Sequence, residues 1–442
     1  MIKKNARNAA VSALLKTDEN SGYSNIVIDK AIKSFELSPK DASLSSIIFY
    51  GVLEKRITLD YILSQYSKTK VSKMQPEIRE ILRAALYQLL FLDKIPESAA
   101  VNEAVNSAKE FASQKSAGFV NGILRAFLRN EKKYSLPKSR KELLSVKYSV
   151  PVWLVSHFEK YYGEETAKNF FESLEEHPPV FIRVNTTKTT EDDLIKLLSD
   201  EGVTAEKTNL KNALSLKNQG NPTSLKAFAD GLFHVQDLSS QLACFLLSPK
   251  EDSVLTDVCA APGGKTFTLS EIMNNKGKVY SHDLYKGKVG LIKNDALRLS
   301  LDIVEASVRD AEKSEVYNES DFVLCDAPCS GLGIIRRKPE IRYKDEKEME
   351  GLPSLQYDIL VNSSKCVKVG GMLMYSTCTL NPKENGENAR RFLKENPDFE
   401  AVSIELQNGF NRAIDEKDNE FTMFPHKTGT DGFFVSLFKR VK

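Results

Sequence analysis

The chain has almost no net charge. Its 442 residues carry 62 Lys and Arg against 60 Asp and Glu, a balance of +2. A polyanionic partner must therefore be met by local basic patches, and global charge neither supports nor excludes nucleic acid. Long apolar runs are missing too: no stretch approaches the roughly 18 residues that span a bilayer, which argues against a membrane protein. Six cysteines without one Cys-x-x-Cys pair give neither a disulfide framework nor a zinc spacing, so no metal is expected and free thiols in a reducing cytoplasm fit best. There are no internal repeats and no low-complexity tracts. Lys3, Lys4 and Arg7 ahead of Ala9 to Leu15 have the charge order of a signal peptide. That apolar run is short and passes into Lys16-Thr17-Asp18-Glu19 without a small-residue cleavage site, so an amphipathic first helix is expected.

The length calls for two or three domains. Residues 1–140 read as an all-α domain. Ile78, Ile81, Leu82, Ala85, Leu86, Leu89 and Leu90 recur at helical spacing after Pro76, which suits a first-turn position. The plain reading of such stripes is core, but the interleaved Arg79, Arg83, Arg125 and Arg129 are candidates for phosphate contact. A polar, proline-containing stretch, Lys132 to Lys138, reads as a linker. Residues 145–230 fit a small α+β module, with helices over Val152 to Tyr162 and Glu165 to Leu174, a strand at Phe181 to Asn185 and a helix over Glu191 to Leu198. From Gly231 to the end, strands alternate with helices as in a doubly wound α/β domain, whose ligands sit beyond the carboxyl ends of the strands.

Every chemically suggestive motif falls at such an end. The strand Val254 to Cys259 runs into Ala260-Ala261-Pro262-Gly263-Gly264-Lys265, where the glycines allow a tight turn and close approach to a ligand. Asp283 ends the next strand, 20 residues after Gly263, placed for ribose hydroxyls. Asp310 ends the one after, placed for an adenine amino group or simply as a solvated loop acid. The turn is not the G-x-G-x-x-G fingerprint of dinucleotide sites. It also misses the phosphate-binding loop, because Cys259 stands where that loop needs its first glycine. An adenosine carrying a sulfonium, S-adenosylmethionine, is the best candidate, bound by Cys259 to Lys265, Asp283, Asp310 and Asp326. Two cysteines follow apolar strands: Cys329 in Asp326-Ala327-Pro328-Cys329-Ser330-Gly331, and Cys378 in Tyr375-Ser376-Thr377-Cys378-Thr379. Two thiols and an acid converging on one cleft suggest covalent chemistry on an electrophilic carbon.

Taken in order, Asp257 to Thr266, Asp326 to Gly331 and Thr377-Cys378 resemble the RNA cytosine-C5 methyltransferases of the NOL1/NOP2/Sun type. Arg183-Val184-Asn185 and Gly231 to Gln241 are similar to that family's upstream elements. The helical N-terminus resembles the NusB antitermination factor, an RNA-binding fold. The likeness covers nearly the whole chain, though Leu284-Tyr285-Lys286-Gly287 is looser than the family pattern. It implies an all-α NusB-like domain, a small α+β module and a C-terminal Rossmann-like class I methyltransferase domain. It also implies a cytoplasmic monomer that methylates a cytosine of 16S rRNA in a single-stranded loop or hairpin.

C5 of cytosine is a poor nucleophile until a thiolate adds to C6, and an acid at N3 stabilises the charge that develops. The residues alone leave open which cysteine attacks. DNA cytosine-C5 methyltransferases use the cysteine after a proline, which would favour Cys329. The resemblance to the RNA enzymes instead implies Cys378 as nucleophile, Cys329 as the aid to product release and Asp326 as the N3 partner. Arg336-Arg337-Lys338, together with Arg183, are expected to contact RNA phosphates, although a basic trio is often only a solvated turn. Lys265 is expected to orient cofactor or substrate, or to serve a structural pair. Two other readings stand beside this one: a tRNA substrate, and a non-catalytic RNA-binding or assembly factor.

Overall fold

In a computed structural model, residues 2–20, 24–217, 220–313, 319–406 and 416–442 are described. By contacts the chain forms two compact units, Met1–Glu175 with Lys338–Lys344, and Glu176–Arg337 with Asp345–Lys442.

The first unit is helical. Its main helices are Ala6–Asn20, Ser24–Ser34, Pro39–Tyr66, Pro76–Phe91, Glu97–Phe111, Gln114–Arg129, Arg140–Tyr148 and Val152–Ser173. Prolines open two of them at the first turn, where the missing N–H costs nothing, and Ser38 caps one by accepting from the Asp41 N–H. The stripe of Ile78, Ile81, Leu82, Ala85, Leu86 and Leu89 is buried against Phe49, Leu59, Ile62, Val120, Leu124 and Phe127, so helical spacing became one core. Arg83 lies inside that unit rather than on a phosphate-facing surface. Its guanidinium donates to Asp60 at 2.7 and 2.6 Å and to Glu80 at 2.6 Å. The two helices expected over 152–174 form one stretch broken at Gly163, whose φ of +78° suits only glycine. Residues 338–344 also belong here. Arg342 is buried and donates to the carbonyls of Glu54 and Tyr148, and the Tyr343 hydroxyl donates to Leu53 at 2.6 Å.

The second unit holds two sheets. In the smaller, β1 (Val180–Val184), β2 (Thr204–Lys207), β3 (Ala213–Lys217) and β4 (Phe233–Val235) run antiparallel in the order β2-β3-β1-β4. The helix Glu191–Asp200, capped by Thr190, buries Leu194 and Leu198 against Ile182, Val184, Leu214 and Phe233.

The larger sheet has a parallel body made of β5 (Val254–Asp257), β6 (Lys278–Asp283), β7 (Val304–Val308), β8 (Ser320–Asp326) and β9 (Val367–Thr377), ordered β9-β8-β5-β6-β7. Antiparallel strands complete it: β10 (Phe399–Ala401) and β11 (Glu420–Met423) both pair with β12 (Phe433–Arg440), which lies beside β9. Side chains alternate across the sheet as the period of two requires. Leu324 and Met374 enter one core, while Val323, Cys325, Leu373 and Tyr375 enter the other. Because these five strands are parallel, their carboxyl ends share one edge, and that edge carries Asp257, Asp283, Asp326 and Thr377. No described helix is long and apolar enough to cross a membrane.

Candidate active site

The turn after β5 is shaped by glycine. Gly263 has φ +115°, and a Cβ there would meet the Phe267 ring at 2.3 Å. The Gly263 N–H donates to the Ala260 carbonyl and the Ala260 N–H to His282 of β6, both at 2.8 Å, so the turn is laced to the neighbouring strand. Asp257 accepts from Thr266 Oγ1 at 2.8 Å, and burial pushes its carboxyl up to about 7. Burial also pushes the Cys259 thiol well up. At the tip of β6, Asp283 accepts from the Tyr285 N–H through Oδ1 at 3.0 Å, which leaves Oδ2 for a ligand. Asp310, two residues beyond β7, accepts from the Glu312 N–H at 3.0 Å.

Lys265 opens the helix Gly264–Ile272 and reaches across to β8. Its Nζ donates to Asp326 Oδ2 at 2.7 Å and lies 4.8 Å from the centre of the Phe433 ring. Burial by itself would lower the Lys265 pKa, but the charge and hydrogen bond of Asp326 outweigh it and hold the ammonium above its ordinary value. The other carboxylate oxygen of Asp326 accepts from Ser376 Oγ at 2.7 Å. The acid is thus clamped between the turn after β5 and the end of β9.

Beyond the ends of β8 and β9 the two thiols meet. Cys329 Sγ lies 3.2 Å from Cys378 Sγ, both are half-buried and neither is in a disulfide. The contact with Cys378 is the largest influence raising the Cys329 pKa, burial adds to it, and the charges of Glu384 and Asp326 push the same way. Cys244, Cys325 and Cys366 are buried in the core, as small hydrophobes are.

Arg183, Arg336 and Arg337 are placed differently from the expectation of RNA contact. Arg183 is buried, pairs with Glu271 at 3.1 Å, donates to the Lys211 carbonyl at 2.8 Å and lies over the Phe245 ring. Its guanidinium is spent inside the unit. Arg336 is buried and donates to the Thr430 carbonyl at 3.2 Å. Arg337 donates to Asp431 at 2.5 Å and to Asp237 at 2.8 Å. These two arginines fasten the loop after Cys329 to the segment before β12, and Lys338 belongs to the helical unit.

Known proteins are similar to this chain in sequence and fold. A family model described as 16S rRNA methyltransferase RsmB/F matches residues 244–439, a NusB family model matches 4–129, and a ferredoxin-like domain of RsmF/B-like methyltransferases matches 150–222. The probable ribosomal RNA small subunit methyltransferase B of Bacillus subtilis (strain 168) is 38% identical over 446 residues, covering 100% of both chains. Its namesake from Synechocystis is 32% identical over 442 residues, covering 98% of this chain and 99% of that one. The crystal structure of PH0851 is similar with a TM-score of 0.85 at 28% identity, over 100% of this chain and 99% of that one. The chain belongs to the 16S rRNA methyltransferase RsmB/F family. The parts follow from that membership: a NusB-like helical domain, a ferredoxin-like module and a mixed-sheet methyltransferase domain.

In this RsmB/F-type domain several polar residues bear on the site without having been singled out from the sequence. Ser376, two residues before Cys378, orients Asp326. Glu384, Gln356, Asn381 and Asn385 are buried around the two cysteine loops. The one available signal was the dense polar run Asn381-Pro382-Lys383-Glu384-Asn385 directly after the Cys378 motif. Among the described residues no cluster of three or more His, Cys, Asp or Glu could hold a metal ion.

Proposed function

We propose that the chain transfers a methyl group from S-adenosylmethionine to C5 of a cytosine in 16S rRNA, through a bond between Cys378 and C6 of the base. The observation that carries this reading is the meeting of Cys329 and Cys378 at 3.2 Å on the sheet edge where Asp326 is held by Lys265 and Ser376. The names of the curated relatives favour small-subunit rRNA over tRNA, and the intact trio of Asp326, Cys329 and Cys378 speaks against a non-catalytic factor.

The residues fit the cofactor. The cradle at Gly263 has no room for a Cβ, Cys259 to Lys265 present the turn, and Asp283 and Asp310 stand at the next two strand tips for ribose and adenine. What that cofactor supplies is an electrophilic methyl group on a sulfonium.

The chain's own residues do the rest. Cys378, as thiolate, donates an electron pair to C6, and the C5–C6 π electrons shift so that C5 gains carbanion character. Asp326 holds a hydrogen bond or proton at N3, which offsets the negative charge spreading into the ring. With Cys378 held at C6 and Asp326 at N3, C5 is the nucleophile that would accept the methyl group a bound cofactor would supply. Water takes the C5 proton, the C5–H electron pair reforms the C5–C6 double bond, the C6–S bond breaks and Cys378 leaves as thiolate, with Cys329 beside it aiding release. The target base must be unpaired or flipped, since C5, C6 and N3 cannot all be reached within a helix.

Tritiated S-adenosylmethionine with rRNA tests the reading. Cys378→Ala is expected to abolish label transfer, and Cys329→Ala to accumulate a covalent protein–RNA adduct on denaturing gels. An adduct trapped by Cys378→Ala would reverse the roles, and a wild-type chain that transfers no label would sink the enzyme reading. Bisulfite sequencing in a deletion strain then locates the cytosine.

A further inference from the structure

The thiols meet because two loops from different strands are tied together, and the group tying them lies in neither cysteine motif. Glu384 is fully buried. Its Oε2 accepts from the N–H of Ser330, the residue after Cys329, at 2.9 Å, and from Gln356 Nε2 at 2.7 Å. That same amide nitrogen donates to the carbonyl of Pro328, the residue before Cys329, at 2.9 Å. The other oxygen, Oε1, accepts from Asn381 Nδ2 at 2.9 Å, and the Asn381 N–H donates to Thr379 Oγ1, one residue after Cys378, at 3.2 Å. Ser330 Oγ and Thr379 Oγ1 close the ring at 2.7 Å.

Every partner of this carboxylate is a donor, so the group acts purely as an acceptor. Among the described residues no Lys, Arg or His pairs with it. A buried carboxylate without a counter-cation is costly, and a clasp alone does not require the charge. The charge therefore has to be explained by what it acts on, and the thiols are next to it.

We propose that Glu384 is a positioning residue for the cysteine pair. It clasps the Cys329 and Cys378 loops at contact distance, and its negative charge keeps the proton on Cys329 so that Cys329 can donate to a Cys378 thiolate. The proposal rests on the covalent reading above. The groups that act on the Cys329 thiol among the described residues are Cys378, Glu384 and Asp326, all of which favour its protonated form, and Lys265, whose charge is felt at Cys378, is bound to Asp326.

The test uses the full-length chain. Glu384→Gln keeps the volume, removes the charge and sets an amide NH2 against a donor. Methyl transfer is expected to fall about 10²-fold in kcat, the scale of a misplacement near 1 Å, with KM for rRNA and affinity for S-adenosylmethionine retained. Iodoacetamide labelling of Cys329, followed across pH by peptide mass spectrometry, is expected to have its midpoint at lower pH in the variant. Asn381→Ala separates the two effects: it loosens the clasp but keeps the charge, so turnover should drop while the Cys329 midpoint stays high. It also stands in should Glu384→Gln fail to fold, and wild-type turnover in Asn381→Ala would overturn the clasp. Glu384→Gln that turns over normally, or that loses turnover with the Cys329 midpoint unmoved, overturns the proposal. A wild-type chain that transfers no label sinks the methyltransferase reading instead, and the labelling arm still judges Glu384.

Discussion

Lys265 donates to Asp326 across 2.7 Å, joining the turn beyond β5 to the acid that ends β8. With Ser376 on the other oxygen, the carboxylate is fixed at both ends. A group that must meet one ring nitrogen gains from such pre-orientation. Asp326→Asn preserves the shape but removes the charge and leaves the Lys265 ammonium facing an amide. Methyl transfer is expected to fall by about 10²–10⁴-fold, the usual worth of a positioned acid or base. If Asp326 acts when the thiolate adds, the double variant with Cys329→Ala should trap no adduct on a denaturing gel. An adduct of normal yield would remove Asp326 from the addition step.

Asp257 makes stability depend on pH in an unusual sense. Burial raises its carboxyl from 3.8 to about 7. Between those values the unfolded chain has released this proton and the folded chain still holds it. Stability therefore falls as pH rises through that window, by roughly 4 kcal/mol at most for three pKa units, and is flat above it. His282, pushed down to about 4 by burial, acts oppositely and destabilises the fold as pH drops below 6.5. Only the difference between wild type and Asp257→Asn isolates the carboxyl. Thermal melts from pH 4.5 to 8 should show wild type losing Tm relative to the variant as pH rises to 7, and parallel curves would contradict the buried acid.

Periodicity exposed the elements that bury one side, and glycine, acid and cysteine punctuation exposed the strand ends. That is why the helical stripe after Pro76 and the strands ending at Asp257, Asp283 and Asp326 were legible. Both depend on local spacing alone. The short strands β10 and β11 were not, because three or four residues of mixed type carry little period. Side-chain direction was equally hidden. Arg83, Arg183, Arg336 and Arg337 read as exposed cations because arginine usually is, yet each meets carboxylates or carbonyls brought from distant positions. Nor could spacing show Glu384 between the cysteine loops, since its partners at 330, 356 and 381 converge only when β8 and β9 pair.

Arg337 is placed to hold a loop, and its removal separates that role from RNA contact. Without it, Asp237 and Asp431 face each other with reduced compensation, and Asp431 is already pushed up to about 6 by burial and by Asp237. Arg337→Ala is expected to destabilise the chain by about 3 kcal/mol, the cost of breaking a largely buried pair. The salt dependence of rRNA binding should keep its slope, whereas loss of a phosphate contact would reduce it by about one. Filter binding from low to moderate salt decides, and a shallower slope at unchanged Tm would restore Arg337 to the RNA interface.

The closeness of Cys329 and Cys378 exposes the site to oxidation. At 3.2 Å the sulfurs need to approach by only about 1 Å to reach the bond length of a disulfide. Diamide would take one proton and one electron from each thiol, forming the Sγ–Sγ bond and leaving the reagent as its hydrazine. Cys244, Cys325 and Cys366 are buried, and of the three partly exposed thiols, Cys259, Cys329 and Cys378, the last two are the pair in contact. Methyl transfer should be lost on treatment and return with dithiothreitol, with a Cys329–Cys378 linked peptide in non-reducing maps. Cys329→Ala should form no such link. Bound rRNA should slow the reaction, since a base seated on Cys378 separates the two sulfurs. Inactivation without that linked peptide would mean that the loops hold the thiols apart in solution.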